Sequence, residues 1–119
     1  MTGSAYACVR TLLSAGHRII FDCVILNEKG ARALLSGFQG FRPILVGLTC
    51  SLEETKRRTL ARKDRTLEEA EYGFRNSGQY IQQDYAFETT SVLPSVIASQ
   101  LAEHVRRRER AAPGAGGVD

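Results

Sequence analysis

Two nearly continuous apolar runs constrain the fold of this chain more than any other feature. They are "HRIIFDCVIL" at residues 17–26 and "PILVGLTC" at residues 43–50. Both are rich in branched side chains and lack the apolar–polar alternation of a strand with one wet face. Such runs predict strands buried on both faces, which is typical of a parallel sheet. A shorter third strand is predicted for "YAFETT" at residues 85–90.

Helical patterns lie between and around these runs. Apolar residues recur at helical spacing from Ala5 to Leu13, and Gly16 follows where a helix would end. Capping or first-turn residues predict the starts of four further helices: Asn27, Ser51 with Glu54, Thr66 with Glu69, and Pro94. The resulting alternation of helices and strands predicts an α/β protein, a parallel sheet with flanking helices.

The length of 119 residues suits one small domain, which we assign to residues 1–110. The remaining "AAPGAGGVD", residues 111–119, is small and flexible, and it predicts a disordered tail. Ligands of parallel sheets bind at the carboxyl ends of the strands. Two features stand at those ends, Asp22 in the first run and the pair Cys50-Ser51 after the second.

Charge and cysteine content exclude several kinds of protein. A net charge of +3 is well below that of a dedicated DNA-packaging protein. No apolar run approaches the roughly 18 residues of a membrane span, and the N-terminus does not resemble a signal peptide. Three separated cysteines, Cys8, Cys23 and Cys50, favour neither a zinc site nor a disulfide framework. We expect buried free thiols in a cytoplasmic protein.

The basic run "RRTLARKDR" at residues 57–65 has three interpretations. Arg58 and Arg62 share a helix face, with Arg65 one turn further on, so the run can be a solvated face. Nucleic-acid binding would gain from interleaved aromatic residues, and none occurs between Ser51 and Glu71. The third interpretation is a mobile arginine lid, since guanidinium groups stabilise the charge of a transferred phosphoryl group.

Two other charged features also have alternatives. Asp22 ends the apolar stretch "IIFD" and can either hold Mg²⁺ near a phosphate or cap nearby amides. The second basic cluster, "HVRRRER" near the C-terminus, can be a charged helix end in which Glu103 and Arg107 pair.

Taken together, three segments resemble the chloramphenicol phosphotransferase-like family in their order along the chain: "GHRIIFDCVIL", "ILVGLTCSLEETKRRTLARKDRT" and "YAFETTSVLPSVIASQLAEHV". The middle segment is the most specific. The family has a strand ending in Cys, a Leu-Glu helix start, a double Arg and an Ala-Arg-Gly-Asp-Arg element. This chain has "ARKDR", with Lys63 in place of the glycine. Its "ETTS" resembles the family's Asp-Thr loop before the last helix, with Glu88 in place of the aspartate.

The resemblance implies a P-loop kinase fold and transfer of the γ-phosphate of ATP, with Mg²⁺, to a small-molecule hydroxyl. It implies a lid over the phosphates, with Arg62 and Arg65 as catalytic residues and Arg58 as a further cofactor contact. Thr90 and Ser91 would lie near the adenine, and Asp22 would help to organise Mg²⁺. Cys23 stands where the family has a second acid.

One departure from the family bears on both fold and activity. The phosphate-binding pattern GxxxxGK[ST] does not occur in the 119 residues, and neither its lysine nor the general base is matched. In the family, that loop's strand lies between those matched by residues 17–26 and 43–50. We therefore expect an incomplete domain that re-pairs its strands, self-associates or is marginally stable. The alternative function is a non-catalytic module that binds a partner or itself through a sheet edge.

Overall fold

The computed structural model describes residues 3–111, in which five helices accompany two short strands. In chain order they are α1 (Gly3–Ser14), α2 (Glu28–Gly37), β1 (Val46–Thr49), α3 (Leu52–Arg62), α4 (Leu67–Asn76), β2 (Tyr85–Glu88) and α5 (Pro94–Ala111). The helices begin close to the predicted positions, and Pro94 is the first residue of α5. The tail predicted at residues 111–119 lies, apart from Ala111, outside the described residues.

The two strands form a parallel sheet, with Val46 opposite Tyr85 and Thr49 opposite Glu88. Parallel neighbours need a long connection, and α3 and α4 supply it. The prediction of a parallel sheet flanked by helices is confirmed, with a sheet of two strands. Both strands are shorter than the sequence predicted, at four residues each.

The strand predicted at residues 17–26 is wrong. This segment is irregular, and the one backbone hydrogen bond it forms with described residues joins the His17 N–H to the Leu12 carbonyl. Ile20 is 99% exposed and Val24 is 61% exposed, so the run is not buried on both faces. A strand needs a neighbour for its N–H and C=O groups, and the two-stranded sheet does not extend to this segment.

The same segment nevertheless contributes to the core. The rings of Tyr6, Phe21 and Phe38 form a triangle with centroid separations of 5.2–5.7 Å, which joins α1, residues 17–26 and α2. Gly37 belongs to this contact, because a Cβ atom there would lie 2.6 Å from the Tyr6 ring. Side chains alternate between this cluster and solvent along residues 20–25: Phe21, Cys23 and Ile25 pack against it, while Ile20, Asp22 and Val24 are exposed.

Side-chain hydrogen bonds at the N-caps fix where the helices begin. The Asn27 side chain accepts the Gly30 N–H, and Thr66 and Glu69 form the complete reciprocal box, as predicted. The box predicted at Ser51 forms only in part. Its hydroxyl accepts the Glu54 N–H, but the Ser51 N–H donates to Thr90 Oγ1 at 2.8 Å instead of to Glu54.

The expectation of three buried thiols is also wrong in part. All three cysteines are free, but Cys8 is exposed on α1, while Cys23 and Cys50 are half-buried. Within residues 3–111, no helix combines the length and the apolar character that a membrane crossing requires.

Candidate anion-binding cleft

An open cleft of about 300 Å³ lies at the carboxyl end of β1, between α3 and α4. Its floor includes Thr49 and Cys50, and its walls include residues of both helices. Arg58, Arg62 and Arg65 all line it. The structure thus brings together the three arginines that sequence spacing placed along one helix face and its following turn.

The packing of α3 against α4 fixes the two walls. Thr59 on α3 and Ala70 on α4 are buried, and Lys56 Nζ lies 3.0 Å from Glu71 Oε1 across the pair. The Lys56 ammonium lowers the pKa of the Glu71 carboxyl, chiefly through this hydrogen bond. A cross-helix ion pair of this kind sets the relative position of the helices more than it stabilises the fold.

The turn between the helices explains the position of one residue of "ARKDR". Lys63 ends α3 with φ of 60° and ψ of 17°, and its N–H donates to the Thr59 carbonyl at 3.0 Å. Glycine adopts this left-handed conformation without steric strain, whereas a residue with a Cβ atom does so at a cost. Lys63 therefore stands at a backbone position that glycine would occupy without this cost.

The three cleft arginines differ in their partners. Arg58 donates to Glu54 Oε1 at 3.0 Å, to Thr89 Oγ1 at 3.0 Å and to the Thr89 carbonyl at 2.9 Å. Arg62 donates to Asp64 Oδ2 at 2.8 Å. Arg65 is exposed and forms no hydrogen bond or ion pair with the described part of the chain. Arg65 is therefore the most available of the three for a ligand.

Glu54 is the anionic centre of the first turns of α3. Its carboxylate binds the guanidinium groups of both Arg57 and Arg58. The hydrogen bond from Arg57 is the main cause that lowers the pKa of the Glu54 carboxyl to about 2. Burial opposes it, and the hydrogen bond from Arg58 adds to the lowering. Glu54 is consequently ionised at any physiological pH.

The loop after β2 holds the predicted Thr90 and Ser91, but neither of them lines the cleft. Their N–H groups donate to the Glu88 carboxylate at 2.6 and 3.4 Å, and the hydrogen bonds from Thr90 are the main cause of the lowered pKa of Glu88. Sequence reasoning missed Thr89, whose hydroxyl donates to the Thr49 carbonyl. Its position directly after β2 was the available signal.

Asp22, the predicted magnesium ligand, is exposed in the segment of residues 17–26 and does not line the cleft. The nearby Cys23 thiol has a raised pKa, first because of burial and second because of the Asp22 charge. Residues 3–111 contain no group of three His, Cys, Asp or Glu side chains placed to hold a metal ion.

The second basic cluster, on α5, is an ion-pair network. Glu103 pairs with Arg106, with Arg107 at 3.6 Å as the i,i+4 spacing predicted, and with Arg110. Hydrogen bonding to Arg106 is the main cause of the lowered pKa of Glu103. Arg106, Arg107 and Arg110 are thus directed toward a carboxylate of their own helix, whereas Arg108 Nη1 lies 3.7 Å from Asp84 Oδ2.

Searches of curated proteins and of solved structures found no significant match to the chain. The family model described as chloramphenicol phosphotransferase-like protein matches residues 1–106. That match covers most of the 119 residues and includes the whole cleft. The chain belongs to the chloramphenicol phosphotransferase-like family.

Proposed function

We propose that this chain supplies the arginine side of a nucleotide site in an ATP-dependent phosphotransferase that acts on a small-molecule hydroxyl. The observation that carries the proposal is the convergence of Arg58, Arg62 and Arg65 in one cleft at the carboxyl end of β1. This edge is where parallel α/β sheets bind their ligands. Family membership supports the same class of reaction.

The chemistry needs cations that are positioned but not neutralised. A phosphoryl group in transfer spreads negative charge over its oxygens, and planar guanidinium groups stabilise that charge through paired hydrogen bonds. Arg65, which has no carboxylate partner among residues 3–111, fits this task directly, and Arg62 fits it after release from Asp64. The open cleft lets a charged ligand enter and a product leave.

The other predicted residues, Thr90, Ser91 and Asp22, have less specific roles. Thr90 and Ser91 would lie on the adenine side, on the loop next to the cleft, as the resemblance implies. Asp22, to which the resemblance assigns Mg²⁺, does not line the cleft with the three arginines. Since such a reaction draws on cellular ATP, we place the protein in the cytoplasm.

Titration calorimetry with ATP tests the proposal. We expect Arg65→Ala to weaken binding about tenfold or more, which is the usual size of a lost charge-assisted hydrogen bond. Arg32→Ala is the matched control, since Arg32 pairs with Glu28 on α2, away from the cleft. ADP release on addition of chloramphenicol would extend the result to transfer. A folded chain that binds no ATP contradicts the proposal.

A second candidate function is association through the free edge of β1. Within residues 3–111 no strand pairs with that edge, and residues 18–26 form no backbone hydrogen bonds with the rest of the described chain. Leu48 on β1 and Val24 in residues 17–26 are each 61% exposed, and both line the cleft. Unprotected edges of this kind readily pair with another strand.

Sedimentation over a dilution series tests this second function. If the edge pairs with a second copy, we expect a dimer that Leu48→Lys dissociates and that ATP leaves unchanged. Leu35→Lys, at an exposed position of α2, is the control. A wild-type chain that is monomeric at all concentrations contradicts self-association.

A further inference from the structure

Arg58 differs from the other cleft arginines because each of its three guanidinium nitrogens donates a hydrogen bond within the protein, although its side chain is 43% exposed. Its Nε donates to Glu54, and its two terminal nitrogens donate to the hydroxyl and to the carbonyl of Thr89. A ligand phosphate would find only the remaining N–H groups of Arg58, unless it displaced contacts from three acceptor atoms. Arg58 therefore offers a phosphate fewer free donors than Arg65 does.

The same contacts connect two parts of the site. Glu54 and Arg58 lie one turn apart on α3, while Thr89 directly follows β2. Thr89 in turn donates to the Thr49 carbonyl at the end of β1, and the neighbouring Thr90 hydroxyl accepts the Ser51 N–H. Arg58 thus ties the helix that carries Arg62 to the ends of both strands.

We propose that Glu54, Arg58 and Thr89 form a strut that positions α3, and with it Arg62 and Arg65, against the ends of the strands. Within the proposed function, on which this inference rests, Arg58 is a positioning residue and not an anion contact. Preorganised cations bind an anion more tightly because less ordering remains to be done on binding.

Arg57 provides the matched control for the strut. It pairs with the same Glu54 carboxylate, but it does not line the cleft and contacts neither Thr89 nor a strand end. Arg57→Ala and Arg58→Ala remove equal charge from adjacent positions of α3. A difference between them therefore reports the contacts of Arg58 and not its charge.

The first experiment needs no ligand. Amide hydrogen exchange is measured at Ser51, Thr90 and Ser91, whose N–H groups donate to side chains at the strand ends. The strut predicts faster exchange at these sites in Arg58→Ala and Glu54→Gln, by about tenfold or more, and no change in Arg57→Ala. Unchanged exchange in Arg58→Ala would overturn the strut, whether or not the cleft binds a phosphate.

The second experiment uses inorganic tripolyphosphate as the probe. Removing the Glu54 charge would tighten anion binding if electrostatics alone mattered, whereas the strut predicts that Glu54→Gln and Thr89→Val both weaken it several-fold. Arg58→Ala should weaken binding more than Arg57→Ala does, and Arg65→Ala, which removes a direct ion contact, should reduce the salt dependence of binding. Tighter binding by Glu54→Gln would overturn the positioning role.

Failure of the proposed function and failure of the strut give different results in these two experiments. If wild-type protein does not bind tripolyphosphate but Arg58→Ala speeds exchange at Ser51 and Thr90, the proposed function is wrong and the strut stands. If wild-type protein binds tripolyphosphate and the exchange rates do not respond to Arg58→Ala, the strut is wrong and the proposed function stands.

Discussion

Arg62 and Asp64 form an ion pair of 2.8 Å across the turn that ends α3. Both side chains are more than half exposed, so the pair is screened by water and contributes little to stability. It does, however, place a carboxylate on a guanidinium group that the proposed ligand needs. An incoming phosphate has to compete with Asp64 for Arg62.

We therefore expect Asp64→Asn to tighten the binding of tripolyphosphate. The exposed pair limits the gain to about fivefold, because such pairs are worth up to about 1 kcal/mol. Titration calorimetry on both proteins measures it. Weaker binding by Asp64→Asn would mean that Asp64 supports the cleft instead of competing with the ligand.

The left-handed conformation of Lys63 gives a stability prediction. Lys63→Gly removes the contact between Cβ and the backbone and should raise the free energy of unfolding by about 1 kcal/mol. Urea denaturation followed by circular dichroism measures the change. Lys29→Gly, in the first turn of α2, is the control and should destabilise the protein. A destabilised Lys63→Gly protein would contradict the backbone explanation.

The close contact between Gly37 and Tyr6 gives another stability prediction. In Gly37→Ala the new methyl group would lie 2.6 Å from the Tyr6 ring, so the aromatic triangle must shift, at about 1–3 kcal/mol. The control is Gly73→Ala in α4, where a Cβ atom would meet nothing within 4 Å. That substitution should stabilise the protein by about 0.5–1 kcal/mol. Equal thermal shifts in the two variants would rule out the steric cause.

The lowered pKa of Glu54 predicts how acid affects the ion pairs at the start of α3. A carboxyl whose pKa is depressed on folding stabilises the protein above its unfolded-state pKa, and this stabilisation is lost as the pH falls to the folded value. For Glu54 the loss runs from about 4.5 down to about 2. The difference in thermal midpoint between wild type and Glu54→Gln should be constant above this interval and shrink within it. A difference that grows on acidification would reverse the assignment.

Much of the helical framework could be predicted because its signals are local. Asn27, Thr66 and Pro94 act on the turn in which they stand, so their spacing in the sequence is enough to place three helix starts. The box at Ser51 failed because Glu54 has a stronger alternative in two guanidinium groups. The two guanidinium groups compete with the Ser51 N–H for this carboxylate, Thr90 accepts that N–H instead, and residue spacing alone does not weigh these alternatives.

The other differences between the sequence-based predictions and the structure arise from contacts between residues that are distant in sequence. An apolar run such as residues 17–26 indicates strand propensity but not whether a neighbouring strand is present to pair with it. Likewise, helix periodicity placed Arg58 and Arg62 on one face, and the structure confirms that they share a cleft. Helix periodicity could not show that Arg58 donates a hydrogen bond to Thr89, which lies 31 residues away along the chain.

The short parallel sheet also bears on the order of folding. Leu45 and Asp84, which are hydrogen-bonded where the strands begin, are separated by 39 residues, whereas α3 and α4 are neighbours joined by a short turn. Closing the longer loop loses more chain entropy, so contacts within the helical hairpin can form earlier than strand pairing. We expect the cleft, whose floor belongs to the sheet and whose walls belong to the hairpin, to be completed late in folding.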